Sequence, residues 1–413
     1  MLSLVNLSLI TFLSSLTLII NLNCINGQES PPKMYPIILV PGYMGTKLEA
    51  ILQEATDAPV YCLRRTGTWT LWFSLKELMP MVRQCWYYAA RLHYDSITRK
   101  TTNSKGVTVI VPQFGGLESV EYLSPWFEGI IQQTIYYANM VSRFRDVGLT
   151  PEVQIRGAPY DWRRSMNEMD EWFSKFKTLI EETYTRNGNK SVILVGHSMG
   201  GSVVYIFLRK QSQEWKDKYI RLMWTLATPF GGNFKYMYDY LFEDDYPGYL
   251  SSIIRRAERT FPSLAFLIPK PEAWGCEPFI TSPNSTYTPC NYEDFFRDIG
   301  QPKAYEMWKD VAHLQGSFEH PGVPIKCWGG GGQPTLRSMS TTSNNVYDTL
   351  RRTVVKESDG DTFVNYQALR VCLKWNANTN YPFQFRTFNK THMQMIRDSE
   401  VLDEIVKSYL ELP

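Results

Sequence analysis

Gly196-His-Ser-Met-Gly200 has the G-x-S-x-G spacing of a nucleophile elbow, in which glycines let a strand and a helix close around a serine held out at the turn. The bare pattern recurs by chance, but here the flanks agree with it. Ser191–Val195 reads as a buried strand and Ser202–Arg209 as an apolar helix, so Ser198 is the candidate nucleophile. In a hydrolase built around such an elbow the partners follow in the order serine, acid, histidine. Of the five histidines only His392 lies beyond residue 320: His93 precedes the elbow, His197 is inside it, and His313 and His320 fall before the sheet resumes. The acid belongs in a loop after a late strand. Lys356–Thr362 offers Asp359 and Asp361 on either side of a glycine, and Asp361 is preferred.

A triad of this kind cleaves esters. Ser198 would attack the carbonyl, His392 would take the proton and return it to the leaving alcohol, and Asp361 would orient the imidazole. The oxyanion would be met by two backbone N–H groups. One belongs to Met199, directly after the nucleophile, and the other to Tyr43, in the glycine-flanked loop Pro41–Gly45 that follows the early strand Tyr35–Val40. An ordinary tight turn is the plain alternative for that loop.

These residues need a sheet to hold them. Strands expected at 35–40, 152–156, 191–195, 219–226 and 323–328 alternate with helices expected at 130–148, 171–186 and 202–209. Such alternation implies an α/β fold with a mostly parallel sheet, an α/β-hydrolase once the elbow is included. Residues 233–318 break the rhythm with many aromatics, eight prolines after Asp245 and two cysteines, and read as a cap inserted over the sheet edge. Gly329–Gly332 and the polar stretch to Asn345 read as a loop, too unperiodic for a phosphate cradle.

Length and charge narrow the partners. With 413 residues and 44% hydrophobic content the chain can bury a large core as a single elaborated domain. A net charge of +2, from interspersed basic and acidic residues, argues against nucleic acid, and no metal or cofactor motif occurs. Leu2–Leu22 is uncharged and apolar or hydroxylic. It reads as a signal peptide ending near Gly27, with an uncleaved signal anchor as the alternative. The mature domain would then be 28–413. Removing Cys24 leaves Cys62, Cys85, Cys276, Cys290, Cys327 and Cys372, an even number without metal spacing, which paired in order would close three loops. Asn189, Asn284 and Asn389 each start an N-x-S/T acceptor, useful to a lumenal chain.

Aromatic residues make up 14% of the chain. Trp69, Leu71, Trp72 and Phe73 crowd the segment bracketed by Cys62 and Cys85, within a region of about 50–110 read as a membrane-binding excursion or lid. Packing of the same side chains against the main body is the alternative.

Taken together, Pro36–Ala50, Ala158-Pro-Tyr-Asp-Trp-Arg163, Gly196–Gly201, Thr228-Pro-Phe-Gly-Gly232 and Asp359-Gly-Asp-Thr362 resemble the lecithin:cholesterol acyltransferase family, and within it the lysosomal phospholipase A2 (group XV) branch. The resemblance implies an α/β-hydrolase core, a membrane-binding subdomain around Cys62–Cys85, a cap, and a Ser198/Asp361/His392 triad acting on phospholipid acyl esters. It further implies an acyl-enzyme that passes its chain to water or to a lipid alcohol, and pairing of Cys62 with Cys85 and of Cys327 with Cys372. Such a protein would work as a monomer at a phospholipid surface, in the lysosome or outside the cell. The chain departs from that branch at Tyr43, where the branch has an acidic residue, and at Thr362, where a glycine is usual; Cys276 and Cys290 read as an added pair. Two rival classes are a sterol acyltransferase and a non-catalytic lipid-binding homologue.

Overall fold

The computed structural model describes residues 34–74, 79–80, 82–124, 134–242, 248–347, 351–357, 359–377 and 380–413. The expected signal segment therefore lies outside the described residues. The chain divides into two units, Tyr35–Val406 and Met1–Met34 with Lys407–Pro413.

Six parallel strands form the centre of the first unit: β1 Ile37–Val40, β2 Ile155–Gly157, β3 Val192–His197, β4 Ile220–Leu226, β5 Ile325–Gly330 and β6 Phe383–Phe388, in the order β6-β5-β4-β3-β1-β2. Every neighbouring pair is parallel. A strand covered on both faces has no reason to alternate, which is why Ile37–Val40 and Val192–Val195 are apolar and buried at every position. The helices α1 Asp170–Arg186 and α2 Met199–Arg209 flank β3 in sequence. All of α2 except its last residue is buried, and the hydrophobic effect, about 1.5–3 kcal/mol per large aliphatic side chain, fixes it against the sheet.

The region between β1 and β2 carries a three-stranded antiparallel sheet of Leu48–Leu52, Trp69–Trp72 and Val107–Ile110, a helix Arg83–Ala90 and a hairpin of Leu92–Asp95 with Lys100–Asn103. Between β4 and β5, in the stretch expected to be a cap, the described residues include six helices from Phe234–Leu241 to Pro302–Val311. The stretch expected as a loop after residue 328 differs. Gly329 and Gly330 complete β5, and Thr335–Thr341 is a strand pairing with Ile280–Thr281 of the cap and with Arg352–Glu357. One of its partners, Ile280–Thr281, is distant in sequence, and local composition did not reveal it. The helix expected over 130–148 is shorter: residues 130–133 lie outside the described set, 134–137 are not α-helical, Ile135 instead bridging to Tyr122, and the helix runs over Ala138–Asp146.

Arg163 ties the parts together. Fully buried, it donates to Asp161 Oδ2 (2.7 Å), to the Ala90 carbonyl (2.8 Å) and to Asn103 Oδ1 (2.9 Å), while its own carbonyl accepts from Ser263 Oγ of the cap (3.0 Å). Disulfides join Cys62 to Cys85, Cys276 to Cys290 and Cys327 to Cys372. The last connects β5 to the 3-10 helix Arg370–Ala377.

Candidate functional site

Ser198 stands directly after β3 with φ 54° and ψ −130°, a backbone conformation that an L-residue adopts only under constraint. The constraint is visible in its neighbours. A Cβ on Gly196 would lie 2.6 Å from the Gly201 backbone, and one on Gly200 2.2 Å from the Val40 carbonyl. The elbow glycines are thus required by close approach of strand, helix and β1.

Three loops at the carboxyl ends of strands converge there. Pro41–Gly45 follows β1, and a Cβ on Gly42 would stand 2.6 Å from Ser198 Cβ, so this loop runs beside Ser198. Asp361 packs on the end of β5, where a Cβ on Gly330 would come within 2.6 Å of its own Cβ. His392 follows β6 and begins the 3-10 turn Met393–Ile396.

Asp361 and His392 are both buried, and Asp361 Oδ2 lies 2.8 Å from His392 Nδ1. The other oxygen is already taken, since Asp361 Oδ1 accepts from the backbone N–H of Phe363 (3.0 Å) and Val364 (2.6 Å). With the carboxylate accepting at Nδ1–H, the His392 lone pair is left on Nε2, the tautomer a general base requires. A second tie binds the pair, His392 N–H to the Asp361 carbonyl at 2.7 Å, and Phe363 stacks on the His392 ring at 5.4 Å. Asp359 is engaged elsewhere, its Oδ1 accepting from the Gly332 N–H at 3.2 Å.

Aromatic hydroxyls and indoles brace the loop after β1. Tyr137 donates to the Val40 carbonyl (3.0 Å), Tyr160 to Pro41 (2.9 Å) and Trp162 to Thr46 (3.0 Å), and the Gly42 N–H donates to Tyr136 Oη (2.8 Å). The Ala158–Arg163 motif thus supplies two of the four braces. The Tyr43 side chain donates to Glu258 Oε1 (3.1 Å) at the end of the cap helix Gly248–Glu258, and burial, with Glu258 adding to it, pushes its hydroxyl pKa well up.

A family model described as lecithin:cholesterol acyltransferase matches residues 67–400. The chain belongs to that family. Among its relatives, "Lysosomal phospholipase A and acyltransferase" of Canis lupus familiaris is 34% identical over 374 residues, covering 89% of each chain. The protein of the same name from Homo sapiens is 33% identical, covering 89% of this chain and 88% of the relative. "Phosphatidylcholine-sterol acyltransferase" of Mus musculus is 31% identical over 376 residues, covering 90% and 84%. A chain in the crystal structure of the Tle4–Tli4 complex superposes with a TM-score of 0.51 at 13% identity, covering 92% of this chain and 99% of that one, a likeness of fold.

Against this family background the aromatic run needs correction. Leu71 is 1% exposed and Trp72 3%, while Trp69 and Phe73 are packed partly buried against the same core. The run is a strand pairing with Leu48–Ala50, and its side chains turn inward: Trp72 Nε1 donates to the Met44 carbonyl (3.0 Å) and its ring meets Trp162 edge-on at 5.4 Å. Exposed apolar groups among the described residues of the excursion instead include Val60 (88%), Tyr61 (64%) and Leu63 (70%), which flank its disulfide, with Met79 and Ile97 exposed further along. No aromatic cluster marks them in the sequence. Thr362 adopts φ 79° with its N–H held by Thr335 Oγ1 at 3.0 Å. Asn189, Asn284 and Asn389 are all exposed, and Asn389 Oδ1 accepts from Gln333 Nε2.

Proposed function

We propose that the protein is a serine lipid acyl hydrolase and acyltransferase that cleaves fatty acyl esters of glycerophospholipids. The observation that carries the reading is the buried Asp361–His392 pair standing at the same end of the parallel sheet as Ser198 in its elbow. The activities named for its family members, phospholipase A and acyltransferase, supply the substrate class.

In this scheme Ser198 Oγ forms a bond to the acyl carbon as its proton passes to His392 Nε2. Asp361 stabilises the imidazolium, and the N–H groups of Met199 and Tyr43 meet the oxyanion, each donor contributing about 3 kcal/mol in related chemistry. The ester C–O bond then breaks and the leaving alkoxide takes the proton from His392. Water or a lipid alcohol next gives its proton to His392 and attacks the acyl carbon, and Ser198 leaves with the proton restored. No cofactor enters any step.

The bilayer would be met by Val60, Tyr61 and Leu63, held on a small excursion by the Cys62–Cys85 disulfide. Three disulfides suit a chain that matures in the oxidising secretory pathway, bound for the lysosome or the extracellular space, where Asn189, Asn284 and Asn389 can carry glycans.

The test is acyl release from phosphatidylcholine liposomes at pH 4.5 and 7.5, with and without sterol or N-acetyl-sphingosine. Release of fatty acid and lysophospholipid is expected, with part of the acyl chain diverted to the added alcohol. Absence of acyl release under every condition would overturn the reading, and product confined to sterol ester would replace it with the sterol acyltransferase.

A further inference from the structure

The second histidine of the site is in the elbow itself. His197, wholly buried, is the covalent neighbour of Ser198; its Nδ1 lies 2.6 Å from Tyr136 Oη and its Nε2 3.2 Å from the His392 carbonyl oxygen. Tyr136 Oη also receives the Gly42 N–H. Only one arrangement of protons satisfies these contacts. A carbonyl oxygen can only accept, so Nε2 carries the hydrogen; the neutral ring then has a bare Nδ1, which must accept from the Tyr136 hydroxyl, and the tyrosine oxygen accepts from Gly42. Burial, and after it the facing His392, holds the His197 pKa well below the ordinary histidine value, so the ring stays in this neutral form.

We propose that His197 is a positioning residue for acyl transfer, the link in a directed hydrogen-bond relay that runs from the Gly42 N–H through Tyr136 to the backbone of His392. The proposal rests on the reading of Ser198 and His392 as nucleophile and base. Both of the hydrogen bonds that hold His392 to the triad acid, at Nδ1 and at its backbone N–H, come from Asp361. A rigid shift of the Asp361–His392 pair relative to Ser198 would strain neither. The bond from His197 to the His392 carbonyl does resist it, because His197 is joined to the nucleophile by one peptide bond. Through Tyr136 the same ring is tied to Gly42, beside Tyr43, so nucleophile, base and oxyanion loop share one fixed reference. Neutrality matters as well. The two imidazole centroids are 4.7 Å apart, and a cation at His197 would oppose the imidazolium that His392 must become.

Two isosteric substitutions separate positioning from packing. In His197→Asn the side-chain oxygen overlays Nδ1 and still accepts from Tyr136, but nothing reaches the His392 carbonyl. In His197→Gln the amide nitrogen overlays Nε2 and restores that donation. With a short water-soluble p-nitrophenyl ester, His197→Asn should lower kcat by about 10- to 100-fold with KM changed by less than about threefold, the scale expected when a reacting group is displaced by a fraction of an ångström. His197→Gln should recover to within about fivefold of the native kcat, and Tyr136→Phe should lose roughly five- to tenfold, again with KM preserved. Equal kcat in folded His197→Asn and His197→Gln, whether near native or equally low, overturns the proposal. Thermal unfolding establishes folding; if His197→Asn does not fold, native kcat in folded Tyr136→Phe overturns it equally. A fluorophosphonate probe keeps the underlying reading separate. It should label Ser198 in all three variants at reduced rates, whereas labelling that persists in Ser198→Ala would remove the triad rather than the relay.

Discussion

The elbow with its surrounding loops and the excursion closed by Cys62 and Cys85 both draw on aromatic side chains, but what fixes their positions differs. At the elbow the spacing itself is the constraint: Gly196 and Gly200 leave no space for a Cβ, Ser198 is driven to φ 54°, and Asp361 is held by two N–H groups of its own loop. In the excursion the constraint comes from strand pairing. Leu48–Leu52 recruits Trp69–Trp72, which turns Leu71 and Trp72 into the core, while Val60, Tyr61 and Leu63 beside the disulfide are exposed. Chemistry that depends on short spacing can be read locally, whereas the direction a strand faces is decided by a partner elsewhere in the chain.

The sharpest break of this comparison lies within the elbow's partners. Asp361→Asn should lower kcat on any ester by about 10³- to 10⁴-fold, because an amide cannot hold the required imidazole tautomer. Asp359→Asn should stay within about threefold of the native enzyme, since that carboxylate serves the Gly332 backbone. Steady-state kinetics on a soluble ester checks both, and the reverse ranking would move the acid to Asp359.

The excursion supplies the next contrast. Trp72→Ala should cost about 3–5 kcal/mol of stability and impair soluble and bilayer substrates alike, as a buried ring bonded to the Met44 carbonyl. Val60→Ser with Leu63→Ser should leave thermal unfolding unchanged and weaken liposome binding roughly a hundredfold, given about 3 kcal/mol from two apolar side chains entering the interface. Liposome sedimentation and a soluble-ester assay in parallel decide it; unchanged sedimentation of the double serine variant would move the membrane contact off this tip.

How far the sequence carried differs along the same line. The parallel sheet was readable because buried strands advertise themselves as apolar runs between helices, and the pairing of Asp361 with His392 could be anticipated because chain order and a single eligible histidine left little choice. The Thr335–Thr341 strand was not, for its partners lie at 280–281 and 352–357. Nor was the relay of Tyr136 and His197: a tyrosine 61 residues before the elbow carries no spacing signal, and His197 could be set aside as a base without revealing its contact to the His392 carbonyl. Trp69–Phe73 misled because aromatic density alone does not distinguish a core strand from a membrane-facing one.

The smallest effect expected concerns a non-glycine residue held at positive φ beside Asp361. Thr362, a β-branched residue at φ 79°, should be strained by about 1–2 kcal/mol, so Thr362→Gly should stabilise the protein by roughly 1 kcal/mol after the added chain entropy, with kcat near native. Urea unfolding measures it, and a destabilised variant would mean that contacts of the threonine side chain outweigh its backbone strain.

The central claim is that lipid acyl transfer proceeds through an ester on Ser198, and one measurement addresses it directly. Purified protein is incubated with phosphatidylcholine liposomes carrying isotopically labelled acyl chains, quenched in acid within the first turnovers, digested and analysed by mass spectrometry. The labelled acyl group is predicted on the peptide containing Gly196–Gly201, absent in Ser198→Ala, and chased from the native enzyme by an added lipid alcohol. Labelled product formed with the acyl group on another residue, or at an undiminished rate in Ser198→Ala, would contradict the account.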